Sequence, residues 1–117
     1  PSTMHNDDAR RNLDLLRVLE LLREPLEAAG QREGFESLVL NHALLDGVNR
    51  VQRQNGKEKF TVIKEIINYV NRQIPNLRKC SAYRRESRNR RLIMWLNCHG
   101  FSPLSAALLK LKNGSDE

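Results

Sequence analysis

Aromatic side chains are scarce in this chain: one Trp, two Tyr and three Phe among 117 residues, or 5%. A core must therefore be assembled from Leu, Ile and Val, and there is little from which to build a platform that stacks unpaired bases. Cysteine is rarer still, with only Cys80 and Cys98. One such pair is not a disulfide framework, so a reducing compartment is expected. Neither cysteine stands at zinc-finger distance from a second Cys or His, and His42 falls between Leu38 and Leu45, so no metal site and no cofactor are expected. No apolar run approaches the roughly 18 residues of a membrane span. The opening residues Pro1 to Asp8 are polar and lack the apolar core of a signal peptide, which points to an intracellular protein, cytoplasmic or nuclear. A Gly-rich phosphate loop, a nucleophile elbow and carboxylates at a catalytic spacing are all missing, so the chain is not expected to be an enzyme.

What is present is helical periodicity. A length of 117 residues with 39% hydrophobic and 29% charged residues suits one soluble domain. Leu15, Leu19, Leu22 and Leu26 recur at four-three-four spacing, with Val18, Leu16 and Leu21 widening the stripe. Asp7 and Asp8 read as the cap and first turn of this helix, Pro25 as a kink or restart near its end, and Gly30 as its stop. A second helix is expected over about 33–54, where Gly47 either weakens the middle or admits a neighbouring helix. A third, over about 58–73, carries Phe60, Ile63, Ile67, Val70 and Ile74. A fourth should run from Lys79 or Ser81 to Cys98. Ser102-Pro103 opens a fifth, ending near Lys112. The expected fold is all-α: a single-domain bundle of four to five helices over residues 7–113, with residues 1–6 disordered and 114–117 a flexible tail.

Charge is unevenly spread. Seven of the fourteen residues from Arg78 to Arg91 are Arg or Lys, and only Glu86 opposes them, so this window's net +6 equals that of the whole chain. Residues 1–46 carry nine acids and five bases. A charge run is usually a solvated face, but solvated faces mix signs. Six of the seven cations are Arg, whose planar fork bonds two phosphate oxygens at once. On one continuous helix Arg84, Arg88 and Arg91 would form a stripe, with Arg85 and Arg78 beside it and Lys79 and Arg90 elsewhere. These seven residues are the candidate nucleic-acid site, each contacting phosphate and not bases. With Tyr83 the sole ring among them, a duplex of RNA or DNA fits better than a single strand. Arg50, Arg53, Lys57, Lys59 and Lys64 form a second basic group that would extend the patch if it lay alongside. Cys80, set among cations, is a candidate for a lowered thiol pKa.

The competing class is a protein-interaction module, an adaptor or oligomerisation bundle using charged faces. The broad leucine stripe of the first helix permits a homodimer, which would duplicate the basic patch about a two-fold axis.

Overall fold

The computed structural model describes residues 2–54 and 56–116, with side chains over 11–111 apart from 55 and 109. The described residues contain no strand; the chain is an all-α bundle. Its helices are α1 (Ser2–Ala28), α2 (Arg32–Leu38), a π-helical stretch (Val39–Gly47), α3 (Val48–Gln52), α4 (Lys59–Gln73), a 3-10 turn (Leu77–Lys79), α5 (Ser81–Arg84), α6 (Arg88–Cys98) and α7 (Ser102–Asp116).

α2, the π-helical stretch and α3 follow one another without a break and make a central rod over 32–52. Phe35, Val39, Leu40, Ala43, Leu44, Val48 and Val51 have no exposed surface, so this rod is the hydrophobic axis. α1 and α4 pack along it, α5 against its first turns, α6 against its middle and α7 against its end. Gly47 is buried where α1 and α4 meet the rod. A Cβ there would lie 3.0 Å from the His42 carbonyl oxygen of the same rod, and at ordinary contact distance from Leu15 Cδ2 (3.5 Å) and Ile66 Cδ1 (3.8 Å).

The N–H of Val48 reaches back to the carbonyls of Ala43 and Leu45 and passes over that of Leu44. The Leu44 carbonyl takes a hydrogen bond from the Asn97 side-chain amide at 2.8 Å. A buried polar network grows from this point. Asn97 also reaches Asn49 Oδ1 at 3.3 Å, Ser105 Oγ lies beside the Oδ1 atoms of both Asn49 and Asn97, and Ser102 Oγ donates to Gln52 at 3.1 Å. All four of Asn49, Asn97, Ser102 and Ser105 are buried. Buried polar groups are tolerated only when paired, so this network fixes how α6 and α7 seat on the rod.

Two expectations need correction. Asp7 and Asp8 do not cap α1; the helix already begins at Ser2 and they lie within it. Pro25 sits near the end of α1 as read, with the helix running on through it to Ala28. Gly30, at φ 73, closes it through Gln31 N–H to Leu26 at 2.7 Å and Gly30 N–H to Glu27 at 3.0 Å. On α4 the buried face is centred on Ile66 and includes Val62, Ile63, Tyr69 and Val70, which turns Phe60 out to 64% exposure.

The fourth helix is broken. Cys80 and Ser87 are both extended, at ψ 120 and 158, and separate the 3-10 turn, α5 and α6. Ser87 caps α6 by accepting from the Arg90 N–H at 3.4 Å, as a serine ahead of a helix does. Tertiary contacts hold the turn. Tyr83 donates its hydroxyl to the Arg91 carbonyl at 3.1 Å, and Asn41 of the rod donates to Glu86 at 3.1 Å.

Candidate nucleic-acid interface

The break redistributes the seven cations. Arg78 and Lys79 stand on the 3-10 turn, Arg84 ends α5, Arg85 follows it, and Arg88, Arg90 and Arg91 occupy the start of α6. The single-helix stripe of Arg84, Arg88 and Arg91 therefore does not exist, because Arg84 and Arg88 belong to different helices. What replaces it is a patch spread over three consecutive segments.

Two of the seven are neutralised within the fold. Arg85 forms an ion pair with Glu33 at the start of the rod. Arg90 pairs with Glu86 at 2.9 Å and also bonds Asn41 Oδ1. The acidic amino-terminal third thus reaches the basic segment, through Glu33. Among the described residues the other five have no carboxylate partner. Arg78, Lys79, Arg84 and Arg88 are exposed and make neither ion pair nor side-chain hydrogen bond. Arg91 is half-buried, and its Nε is shielded from water without a hydrogen-bond partner.

Tyr83 lies within the fields of Arg78 and Arg91. Burial pushes its phenol pKa up, while the Arg91 and Arg78 guanidinium charges pull it down. Both ends of the basic segment therefore act on one ring, although the sequence separates them. The cationic groups also crowd the N-terminus of α6, where the helix dipole already favours negative charge. An anion at this end would meet both.

Cys80 does not carry an activated thiol. It is buried and its Sγ–H points to Glu36 Oε1 at 3.7 Å. Burial raises its pKa, and the Glu36 charge raises it further. Its sequence neighbours Arg78 and Lys79 are exposed, while Cys80 itself is buried.

The second basic group lies elsewhere. Arg50 is on α3 and Arg53 directly follows it, at the opposite end of the rod from Glu33. At about 1.5 Å per residue, Arg53 is roughly 15–20 Å along the axis from Asn41, so Arg53 does not adjoin the Arg90 side of the patch. His42 is exposed. Among the described residues no three His, Cys, Asp or Glu side chains converge as a metal site requires. No described helix is long and apolar enough to cross a membrane.

Sequence reasoning missed the anchors Glu33, Asn41 and Glu86 and the buried set Asn49, Asn97, Ser102 and Ser105. Glu86 had a signal, since it stands four residues before Arg90. Asn41 and Asn97 had none, because their partners are distant in the chain. Set against protein-family models, characterised proteins and solved structures, the chain finds no match.

Proposed function

We propose that this chain is a non-catalytic nucleic-acid-binding domain that holds phosphates of duplex RNA or DNA. Arg78, Lys79, Arg84 and Arg88 supply the contacts, with Arg91 beside them and Arg85 and Arg90 in orienting roles. The observation that carries this reading is that, among the described residues, five of the seven clustered cations have no carboxylate partner. Like charges held together on ordered backbone repel, and a polyanion relieves that repulsion while releasing its own counterions. Arginine-rich contacts of this kind read shape and charge and not base edges. A cytoplasmic or nuclear location follows from such a ligand.

The test is an electrophoretic shift series with double-stranded RNA, duplex DNA and single strands at two salt concentrations. About four phosphate contacts predict a log–log salt slope near −4. Arg84→Ala with Arg88→Ala should weaken binding to unrelated sequences alike and flatten that slope by about two. An unchanged slope in the double variant rejects the site.

A second reading, a protein-interaction bundle, draws on exposed apolar residues. Val18 is 52% and Leu21 77% exposed on α1, and Leu104 and Leu111 of α7 are 52% and 71% exposed. A homodimer through α1 would cover the first pair and set two basic patches about a two-fold axis. Failure to bind any nucleic acid at low salt favours this reading.

A further inference from the structure

We infer that the groove between the end of the central rod and α7 binds a small phosphate monoester. The groove encloses about 640 Å³. That falls within the roughly 300–1,000 Å³ typical of small-molecule sites. Asp46, Asn49, Arg50 and Arg53 line one wall, at spacings that put them on a single face of the rod. Ala106, Ala107 and Lys110 of α7 line the other. The two alanines are what leave the space open.

The walls are held in place. Asn49 is buried and tied to Asn97 and Ser105 at 3.3 Å each, so the floor belongs to the polar network that seats α7. Arg50 is steadied by Asn12 Oδ1 at 3.4 Å. Arg53 and Lys110 come from opposite walls, and among the described residues neither has an ion-pair partner. Three cations against the one carboxylate of Asp46 leave two positive charges. A phosphate monoester, at about −1.5 to −2 near neutral pH, matches that excess, whereas a monocarboxylate or a backbone phosphodiester carries only one charge. Arg50 and Arg53 offer planar forks to the phosphate oxygens, and Lys110 a point charge from across the groove. Asp46 is then an acceptor for a hydroxyl on the stem, and Ala106 and Ala107 a short apolar wall beside it. The site is separate from the Arg78–Arg91 patch, which meets the rod at Glu33 and Asn41.

The experiment is an NMR titration of the full chain, following backbone amides, with glycerol phosphate, inorganic phosphate and acetate at constant ionic strength. Saturable shifts at Asn49, Ala106 and Ala107 are expected with both phosphates, tighter with glycerol phosphate, and much weaker with acetate. Arg53→Gln with Lys110→Gln should cost about tenfold or more in affinity. Ala107→Leu, which fills the groove without altering charge, should weaken binding too. The inference is overturned if neither phosphate gives saturable shifts there, if the shifts centre on the Arg84 and Arg88 region, or if the double variant binds as the parent does. Acetate binding as tightly as glycerol phosphate overturns the monoester assignment.

Discussion

The Asn97 amide donates to the main-chain carbonyl of Leu44, 2.8 Å away and sealed inside the bundle. That bond falls where the Val48 N–H skips one carbonyl as the rod leaves its π-helical stretch. A wide helical turn in the middle of a core is costly unless the group it strands finds another partner. Asn97 is that partner, which links the shape of the rod to the seating of α6. Replacing Asn97 by Leu leaves the Leu44 carbonyl and Asn49 Oδ1 short of a donor and takes an acceptor from the Ser105 hydroxyl. The expected loss is about 2–4 kcal/mol, read from urea unfolding. A loss below about 0.5 kcal/mol would show that the rod holds its shape unaided.

The pairing of Arg85 with Glu33 separates the roles of the cations. Arg85 already has an anionic neighbour, so Arg85→Ala should weaken duplex binding less than Arg84→Ala or Arg88→Ala. Glu33→Gln releases Arg85 and should strengthen binding about two- to fivefold at low salt, with a salt slope steeper by about one. Filter binding at several salt concentrations reads both numbers. Equal effects of the three alanine variants would mean that ion pairing in the fold does not set the availability of a guanidinium.

Much of the fold is legible in the sequence, for a physical reason. Ile63, Val70 and Ile74 recur at helical spacing and are buried, and Gly30 and Pro75-Asn76 punctuate α1 and α4 as read. Local spacing and turn chemistry carry those features. The break between α5 and α6 is different. Residues 79–98 are locally able to form one helix, and what interrupts them is Tyr83 bonding forward to Arg91 and Glu86 bonding to Asn41 on the rod. The cluster of cations is legible as composition. Which of them stay unpaired is not, because Glu33 lies far from Arg85 in the chain and comes beside it only on folding.

Gly47 offers a test of close packing. Alanine would gain helix propensity worth about 1 kcal/mol but press on the His42 carbonyl. Valine adds methyl groups toward Leu15 and Ile66, whose atoms lie 3.5 and 3.8 Å from the Cβ position. Gly47→Val is therefore expected to cost about 1–3 kcal/mol through overpacking. Thermal unfolding measures it, and a variant as stable as the parent would show that α1 and α4 have room to retreat.

Cys80 should be inert despite its basic surroundings. Burial raises its thiol pKa and the Glu36 carboxylate opposes the thiolate. At pH 7.5, iodoacetamide should modify folded protein far more slowly than the same chain in urea. Glu36→Gln should bring the thiol pKa down, since a repelling charge is removed. Rapid labelling of the folded parent would contradict the buried placement.

Tyr69 contributes to the loss of stability at alkaline pH. Its hydroxyl donates to Glu20 Oε2 at 3.0 Å. Burial first, then the bond and charge of Glu20, raise its pKa well above the ordinary tyrosine value. Above about pH 10 the unfolded chain loses this proton while the folded chain keeps it. The folded state then binds more protons than the unfolded one, so stability is fully present below about pH 10 and falls as pH rises further. Lysines titrate in the same range, so the informative quantity is the difference between the parent and Tyr69→Phe, which has no phenol to ionise. Urea unfolding at pH 8 and at pH 10.5 should show the parent more stable at the lower pH by the lost hydrogen bond, about 1 kcal/mol, with the gap narrowing at the higher. A gap that is constant across that interval would mean that Tyr69 ionises alike in both states and that Glu20 does not hold its proton.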